Sequence, residues 1–568
     1  MEFLKRNNFF IIFILFCFSF YILGIKWGLP SKKLNSLYFY KNENLYKTIE
    51  IIKNYKEEIW KGYGWYLILH PEEEEKKLPR NLYNSIRSYH PDEYFIIKVL
   101  ASMKPEKFDF NPHQFAIGGV YLYFVGFVIF ILSKLKILFL TKEIDFYFKN
   151  PDQLSKFYIT GRLITVFYAT GMIILSYSIA KKLYKNSKNA LLVTFLISFS
   201  PLIILNCSYM YVDIPGLFWI MACLYYSIKN FENPSFKNFF ITGFFSGLAT
   251  GTKIPLFISI FIPLISSILT FKEIKKLLIS FIYILGGAII SFGITNPYFF
   301  ITFPMPLFEL RQHTPISFSG KFYIKSLGYG IGWPIFITGI IGLILNKKNY
   351  NKKIYILFLL WISLYFLFIS LFSKNYGRYI LPIVPPFIIT GYGFWIEKNI
   401  KKPFNYFKIF VLYISVLFSF IYGLSFKSLF LKLNTRTEAG IWIKENIPKD
   451  KTIGVCEVPW QFQMPPFDYF YYKVFVLNYD FEKLKKESPE YFIISSFQSP
   501  IPPYPLNLQK ERIQFYEKFI KSNLYILIKT FQRFPSFSII KFKFKILPED
   551  LIYINPTILI FKKNEGNI

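Results

Sequence analysis

Long apolar stretches separated by short polar ones run along the first three quarters of this chain. Residues 9–25 are apolar without a break, and further stretches follow at 115–132, 163–180, 189–206, 214–229, 277–299, 326–346, 354–373, 378–396 and 408–425. Residues 237–272 make one more stretch, long enough for a hairpin that bends near Lys253. Because a membrane-spanning helix needs about 20 apolar residues, the pattern predicts a polytopic α-helical membrane protein with about 11 to 13 spans.

Two polar regions differ from this repeating pattern. Residues 29–113 form a long segment after the first span, which we interpret as the first outer loop. After residue 430 the pattern is that of a small α/β domain, with predicted helices at 435–445 and 508–522 and strands at 474–477, 491–495 and 557–561. The sequence therefore predicts a membrane domain at 1–429 and an extracytoplasmic α/β domain at 430–568.

The distribution of lysines orients these spans. Positive clusters at 181–188, 272–276, 347–353 and 398–402 fall on one side, which the positive-inside rule assigns to the cytoplasm. The N-terminus is then cytoplasmic in a multi-pass cell-membrane protein, and the C-terminal domain is extracytoplasmic. Segment 115–157 must cross an even number of times, so it is either a hairpin or, as we prefer, a surface or re-entrant segment, because 137–140 is too short to span.

Composition excludes two classes of function. The chain is 53% hydrophobic and carries 67 Lys+Arg against 35 Asp+Glu, but its lysines lie in short clusters between apolar stretches, so no nucleic-acid partner is expected. The four cysteines show no CxxC spacing, and His70, His90, His113 and His313 match no ligand motif. We therefore expect no metal and no other cofactor.

Asp92 and Glu93 follow Ser88-Tyr89-His90-Pro91 in the outer loop and precede a helical pattern. Asp92 is therefore a candidate general base for a hydroxyl substrate at the membrane surface. A cap on the following helix is the alternative, since an Asp at a helix start accepts from free amide groups. Both interpretations can hold together. The acidic run 72–75 lies in the same loop but is not followed by an apolar helical pattern. We interpret it as a run of charges exposed to solvent.

Charged residues at or inside apolar stretches are the other candidates. Asp213 lies where one span ends and the next begins, beside Pro215, so it is either a helix cap or a functional acid. Arg162, Lys253 and Arg378 are cations of the type that binds a lipid phosphate. For Arg162 and Arg378 the alternative is that the side chains extend to the membrane interface. His113 and His313 add to a polar set predicted on the outer side.

An ordered set of short motifs, none specific alone, runs through residues 1–430. It consists of His90-Pro91-Asp92-Glu93, Asn111-Pro112-His113-Gln114-Phe115, Gly161-Arg162, Asp213-Ile214-Pro215, Thr252-Lys253, Asn296-Pro297-Tyr298 and Arg378-Tyr379-Ile380-Leu381-Pro382. In that order the motifs resemble the phospholipid-carrier-dependent glycosyltransferases of the GT-C fold. Relatives within this group are the protein O-mannosyltransferases of glycosyltransferase family 39 and the lipid A aminoarabinose transferases.

The resemblance implies a glycosyltransferase whose donor is a sugar on a polyprenyl or dolichyl monophosphate. Asp92 would be the base, Glu93 would support it, and Asp213 would position the acceptor or the loop. Arg162 would bind the donor phosphate, helped by Lys253 and Arg378, while His90, His113 and His313 would lie on the acceptor side. The partners would be the lipid-linked donor, membrane lipids and an acceptor protein, lipid or glycan, and no metal is implied.

One departure from the family pattern concerns the first outer loop. In the family the Asp-Glu pair commonly follows the first span closely, whereas about sixty residues intervene in this chain, which leaves the acceptor open. The physics of transfer implies inversion, because the acceptor oxygen attacks opposite the departing phosphate. The main alternative is a transporter or flippase of a lipid-linked substrate, which would place charges and broken helices at mid-membrane.

Overall fold

The structure is a computed structural model. It describes residues 2–59, 80–312, 317–345, 352–371, 375–397 and 402–564. The chain folds into two compact units, each assembled from separate stretches of the sequence. The first unit comprises Met1–Ile25, Ser102–Val128 and Thr160–Lys427, and the second comprises Lys26–Ala101, Ile129–Ile159 and Ser428–Ile568.

The first unit is built from helices. Four helices have residues in both units, namely Gly119–Lys134, Pro151–Tyr184, Lys402–Leu431 and, by its last residue alone, Glu93–Ser102. The remaining α-helices of this unit are Glu2–Ile22, Ser187–Ser198, Pro201–Cys207, Asp213–Glu232, Phe236–Thr252, Phe261–Thr270, Ile274–Thr295, Pro297–Ile301, Met305–Gln312, Gly320–Ile331, Trp333–Leu345, Lys352–Ser370 and Val384–Ile396. Short 3-10 helices cover Pro105–Lys107, Ile254–Ile260 and Gly377–Ile383.

Several of these helices are long and apolar enough to cross a membrane. Five qualify alone, and seven qualify if each of two sharply bent helix pairs counts as one span. Three shorter apolar helices, Phe9–Ile22, Gly119–Lys134 and Ile254–Thr270, accompany them among the described residues. The chain is therefore a multi-pass α-helical membrane protein, as the hydrophobic pattern predicts, while the figure of about 11 to 13 spans stays a prediction.

Close helix packing in this unit depends on small residues. Helices Phe236–Thr252 and Ile274–Thr295 approach so closely that a Cβ at Gly243 would overlap the backbone carbonyl of Ile284. Small residues permit this approach in membranes, where backbone contact replaces the hydrophobic driving force available in water. The packing holds the end of helix Phe236–Thr252, and with it Lys253, in a fixed place.

The second unit contains a sheet and short helices. The sheet has the order β2-β1-β3-β9-β5, with β1 (Thr452–Val455) parallel to both β2 (Lys473–Val476) and β3 (Tyr491–Ser495). Strand β9 (Ile558–Lys563) is antiparallel to β3 and to the edge strand β5 (Tyr525–Phe531). Two small pairs join β4 (Tyr504–Pro505) to β8 (Ile546–Leu547) and β6 (Ser536–Phe537) to β7 (Ile540–Lys541).

Nine helices complete the described part of the second unit. They are Lys32–Tyr38, Asn42–Ile59, the 3-10 helix Arg80–Ile86, Glu93–Ser102, Ile144–Lys149, Thr435–Asn446, Phe481–Glu487, Lys510–Lys521 and Glu549–Ile552. One buried cluster packs Ala439 and Ile443 of helix Thr435–Asn446 against Ile453 and Ile493 of the sheet. A second cluster packs Phe515 and Phe519 of helix Lys510–Lys521 on the other side.

Most elements predicted after residue 430 are confirmed. The predicted helices at 435–445 and 508–522 correspond to Thr435–Asn446 and Lys510–Lys521, and the three predicted strands correspond to β2, β3 and β9. The sequence pattern did not reveal β1 and β5. The apolar stretch 163–180 does not mark the start of its helix, because Arg162 already lies inside the long helix Pro151–Tyr184.

Candidate functional site

Three of the predicted site residues meet in the first unit. Asp213 is the first residue of helix Asp213–Glu232, Lys253 follows the last residue of helix Phe236–Thr252, and Arg378 lies in the 3-10 helix Gly377–Ile383. The Lys253 Nζ donates to Asp213 Oδ1 at 2.6 Å, and the Arg378 Nε lies 3.4 Å from Asp213 Oδ2. Asp213 and Arg378 are only 8% and 3% exposed. We call these three residues the buried ion cluster.

Tyrosine rings surround the two cations of this cluster. The Arg378 guanidinium carbon lies 4.3 Å from the ring centre of Tyr376 and 5.5 Å from that of Tyr211. The Lys253 Nζ lies 4.1 Å from the ring centre of Tyr379. Cation–π attraction of this kind stabilises a positive charge that has lost part of its water shell. The cluster therefore keeps two cations at fixed positions in a low-dielectric surrounding.

The position of Lys253 follows from its local sequence. Pro255 cannot donate a backbone hydrogen bond within the helix, so helix Phe236–Thr252 ends before it and a 3-10 turn begins at Ile254. The backbone of Lys253 is extended at this break, with φ −151°. The predicted bend of the 237–272 hairpin is thereby confirmed. The break places the half-buried Lys253 side chain within reach of Asp213.

Arg162 contacts a different part of the first unit. It is completely buried inside helix Pro151–Tyr184, and its Nη1 donates to the carbonyl oxygen of Ile25 at 2.7 Å. The side chain therefore does not simply extend to a membrane interface, which was one of the two sequence interpretations. Ile25 comes just after helix Glu2–Ile22, so Arg162 satisfies a carbonyl near a helix end where no amide of the helix reaches.

Lys427 is a buried cation that the sequence interpretation missed. It lies in the last turns of helix Lys402–Leu431, and its Nζ donates to the carbonyl of Tyr21 at 3.0 Å and to the Ser208 hydroxyl at 3.2 Å. Arg162 is close enough to contribute to the electrostatic environment of Lys427. A lysine two residues beyond the apolar stretch 408–425 was a usable signal. Two cations thus lie near the carboxyl end of the first helix.

The Asn-Pro-His-Gln-Phe motif forms a loop beside the break at Lys253. The Gly118 amide donates to the Thr252 carbonyl at 3.0 Å, and the Gly119 amide donates to Asn296 Oδ1 at 2.7 Å. A Cβ at Gly118 would overlap the backbone carbonyl of Gly251. The segment directly after the Asn111–Phe115 motif therefore contacts the motifs that contain Thr252 and Asn296.

Backbone geometry fixes His113 within this loop. Its φ is +52°, in the left-handed region, and its amide donates to Asn111 Oδ1 at 2.9 Å. Glu309 accepts from the amides of Phe115 and Ala116 at 2.7 and 3.0 Å. Burial raises the pKa of Glu309, and these two hydrogen bonds counteract part of that rise. The loop is therefore held by backbone contacts on both sides of His113, whose side chain is half-buried.

The Asp92 loop belongs to the second unit. Asp92 is half-buried directly before helix Glu93–Ser102, its carbonyl accepts from the Phe95 amide, and its own amide donates to His90 Nδ1 at 3.3 Å. Glu93 is completely buried and accepts from the Ser88 hydroxyl at 2.6 Å. The helix predicted after Asp92 is confirmed. The structure thus gives Glu93 a fixed position and leaves Asp92 at a half-buried point beside His90.

The candidate residues therefore divide between the two units. His90, Asp92 and Glu93 lie in the second unit, and His113, Arg162, Asp213, Lys253 and Arg378 lie in the first. His313 and His70 lie outside the described residues. Among the residues that the structure describes, no group of three or more His, Cys, Asp or Glu side chains could hold a metal ion.

One family of known proteins matches part of this chain. Residues 128–307 match the family dolichyl-phosphate-mannose-protein mannosyltransferase, and this range includes Arg162, Asp213 and Lys253. Comparison with curated protein sequences gave no match.

Solved structures show distant similarity. ArnT from Cupriavidus metallidurans bound to undecaprenyl phosphate is 12% identical, with a TM-score of 0.42 over 77% of this chain and 72% of that chain. The same protein in the apo state is 10% identical, with a TM-score of 0.42 over 98% of both chains. The Archaeoglobus fulgidus oligosaccharyltransferase in the apo form is 12% identical, with a TM-score of 0.41 over 77% of this chain and 70% of that chain. Residues 128–307 are therefore similar to the protein mannosyltransferases, which confirms the resemblance that the ordered motifs predict.

Proposed function

We propose that this chain is a membrane glycosyltransferase that moves a sugar from a polyprenyl or dolichyl monophosphate carrier to an acceptor hydroxyl on the extracytoplasmic side. The observation that carries this proposal is the buried ion cluster. Two of its members, Asp213 and Lys253, lie in the region that matches the mannosyltransferase family. Buried cations held by a carboxylate and tyrosine rings are suited to bind a phosphate diester whose remainder is lipid.

The reaction requires one base and a stabilised leaving group. In our proposal Asp92 takes the proton from the acceptor hydroxyl while that oxygen forms a bond to the anomeric carbon of the sugar. The bond between the anomeric carbon and the phosphate oxygen breaks, and its electron pair stays on the polyprenyl monophosphate. Because attack comes from the face opposite the phosphate, the configuration at the anomeric carbon inverts.

The cations stabilise the negative charge that develops on the departing phosphate. We assign this role to Arg162, Lys253 and Arg378, because cations held at fixed positions by other groups need little reorganisation when the charge forms. Asp213 orients Lys253 through the 2.6 Å contact and lies 3.4 Å from the Arg378 Nε. The expected effect of Arg162→Ala is a higher KM for the lipid-linked donor.

The histidines are assigned to the acceptor side, and Glu93 is assigned to support the base. His90 fixes the backbone at Asp92, and Glu93 holds the start of the following helix through Ser88. His113 and His313 complete this side in the proposal. The acceptor is a hydroxyl of a protein, lipid or glycan.

No metal takes part in the proposed reaction, so we expect activity to survive a chelator. Loss of activity that added metal restores would contradict this.

The experiment supplies purified full-length protein in lipid nanodiscs with a panel of polyprenyl-phosphate sugars and simple hydroxyl acceptors. We expect one or more donors to be consumed, with polyprenyl monophosphate released and a product of inverted anomeric configuration. Nucleotide sugars serve as the matched control donors and should not be consumed. Transport of an intact lipid-linked sugar across reconstituted vesicles, with no transfer to any acceptor, would favour a flippase and contradict the proposal.

A further inference from the structure

Arg436 is a completely buried arginine in the first turn of helix Thr435–Asn446. Its Nε donates to Asn434 Oδ1 at 2.9 Å, its Nη2 to the Tyr553 carbonyl at 2.6 Å and its Nη1 to the Phe462 carbonyl at 2.5 Å. Longer Nη1 contacts reach the carbonyls of Tyr89 at 3.4 Å and Gln461 at 3.5 Å. One guanidinium therefore links four segments of the chain.

Tyr89 is the member of this set that leads to the acidic loop. The Arg436 guanidinium carbon lies 4.1 Å from the ring centre of Tyr89, and the Tyr89 hydroxyl is 2.8 Å from the Thr437 hydroxyl. Burial raises the pKa of Tyr89 to about 12, against the lowering effects of the Arg436 charge and the Thr437 hydrogen bond. The phenol is therefore neutral near pH 7 and serves as a hydrogen-bonding group.

A second route from Arg436 reaches Asp92 through Tyr553. The Tyr553 ring packs edge-on against the His90 ring, with 5.4 Å between centres and an interplanar angle of 81°. His90 Nδ1 in turn accepts from the Asp92 amide at 3.3 Å. Asn84, at the other end of the loop, donates to the Pro459 carbonyl at 3.0 Å. Asn84 and His90, which both precede Asp92, thus contact the C-terminal part of the chain.

Only arginine matches this arrangement. Its planar group offers five donors in fixed directions, whereas a lysine ammonium is a compact point charge with three. A buried charge is tolerated when it is fully hydrogen-bonded, and the carbonyl oxygens around Arg436 meet that need. These hydrogen bonds and the cation–π contact with Tyr89 offset the cost of burying the Arg436 charge.

We propose that Arg436 is a positioning residue for Asp92, so that the C-terminal domain sets the geometry of the acidic loop. The effect on kcat that we expect rests on the proposed function, whereas the effect on hydrogen exchange of the loop does not. Arg436 touches neither donor nor acceptor in this proposal. It acts through Tyr89, Tyr553 and His90 on the backbone that carries the base.

The test measures amide hydrogen exchange and steady-state kinetics on the full-length protein in nanodiscs. Arg436→Lys and Arg436→Met are compared with Arg512→Met, which removes an arginine of the same domain that donates to Phe497 and Glu457. We expect faster exchange over residues 84–96 in both Arg436 variants, with β1 and β3 still protected. We also expect kcat to fall about tenfold or more with little change in KM for the donor, since misplacing a reacting group by about 1 Å is costly.

The outcomes separate the two proposals. Unchanged exchange over 84–96 in both Arg436 variants overturns the positioning role, whether or not the chain transfers sugar. Equal loss of protection in β1 and β3 overturns it too, because the effect is then a general loss of stability. Faster loop exchange in a protein whose wild type consumes no lipid-linked sugar supports the positioning role and contradicts the proposed function. If Arg436→Met fails to fold, Arg436→Lys alone decides.

Discussion

At the scale of single residues, the buried ion cluster explains how charged groups persist inside a membrane-spanning unit. Asp213 shares its two carboxylate oxygens between Lys253 and Arg378, so each charge has a close partner of opposite sign. Separating such a pair by removing one partner leaves an uncompensated charge and costs about 3–5 kcal/mol in buried sites. The carboxylate is common to both contacts, so its loss affects the cluster more than loss of either cation.

Asp213→Asn is therefore expected to destabilise the protein more than Lys253→Met does. The first change leaves two neighbouring cations without their shared carboxylate, whereas the second keeps the contact between Asp213 and Arg378. The measurement is the thermal unfolding temperature of each variant in the same detergent. A double variant carrying both changes should be no less stable than Asp213→Asn alone. Equal stability of Asp213→Asn and wild type would contradict the energetic role of the cluster.

The sequence identified each member of this cluster but not their association. Asp213, Lys253 and Arg378 stand out because each is a charge at or inside an apolar stretch. They come from three separate helices, and Asp213 lies 40 residues from Lys253, so only tertiary packing brings them together. Lys427 was missed because it follows its apolar stretch and looked like an ordinary flanking lysine.

At the scale of elements, the loop around His113 is held by contacts to backbone atoms. Glu309 on helix Met305–Gln312 binds two successive amides, and Asn296 accepts from a third. The loop's geometry therefore depends on two side chains that the motif itself does not contain. Because burial raises the pKa of Glu309, we expect the stability of this loop to depend on pH.

Glu309→Gln is expected to flatten the pH dependence of stability. The folded chain keeps the Glu309 proton to a higher pH than the unfolded chain, so this residue's contribution to the free energy of unfolding decreases as pH rises through the raised pKa. Glutamine does not titrate, so it makes no pH-dependent contribution to the free energy of unfolding. The measurement is the unfolding temperature between about pH 4 and pH 7, the range around a raised carboxyl pKa. The same slope in variant and wild type would refute the assignment.

Element prediction succeeded where local signals are strong. Pro255 ends a helix and marks the break at Lys253, and the caps and apolar spacing of helices Thr435–Asn446 and Lys510–Lys521 are legible in sequence. Strand β5 was missed because it is an exposed edge strand whose residues do not alternate between apolar and polar. Helix Pro151–Tyr184 begins well before Arg162 because polar residues of its first turns pack within the second unit, which periodicity alone does not show.

At the scale of the whole molecule, the orientation in the membrane can be tested with single cysteines. All four native cysteines are buried, so they should react poorly with an impermeant maleimide. Glu511→Cys, on an exposed position of helix Lys510–Lys521, should be labelled from outside intact cells. Lys275→Cys, in a predicted cytoplasmic cluster, should be labelled only after permeabilisation. The reverse pattern would contradict the proposed topology.

Asp92 gives the most direct test of the central claim, that this carboxylate is the base in sugar transfer from a lipid-linked donor. The measurement is the rate of sugar transfer from a consumed polyprenyl-phosphate donor by Asp92→Asn. The control is Asp450→Asn, which changes an acid whose side chain is 78% exposed. We predict at least about a hundredfold loss for Asp92→Asn, the usual scale of general-base catalysis, and wild-type rates for the control. Equal rates for the two folded variants would contradict the account.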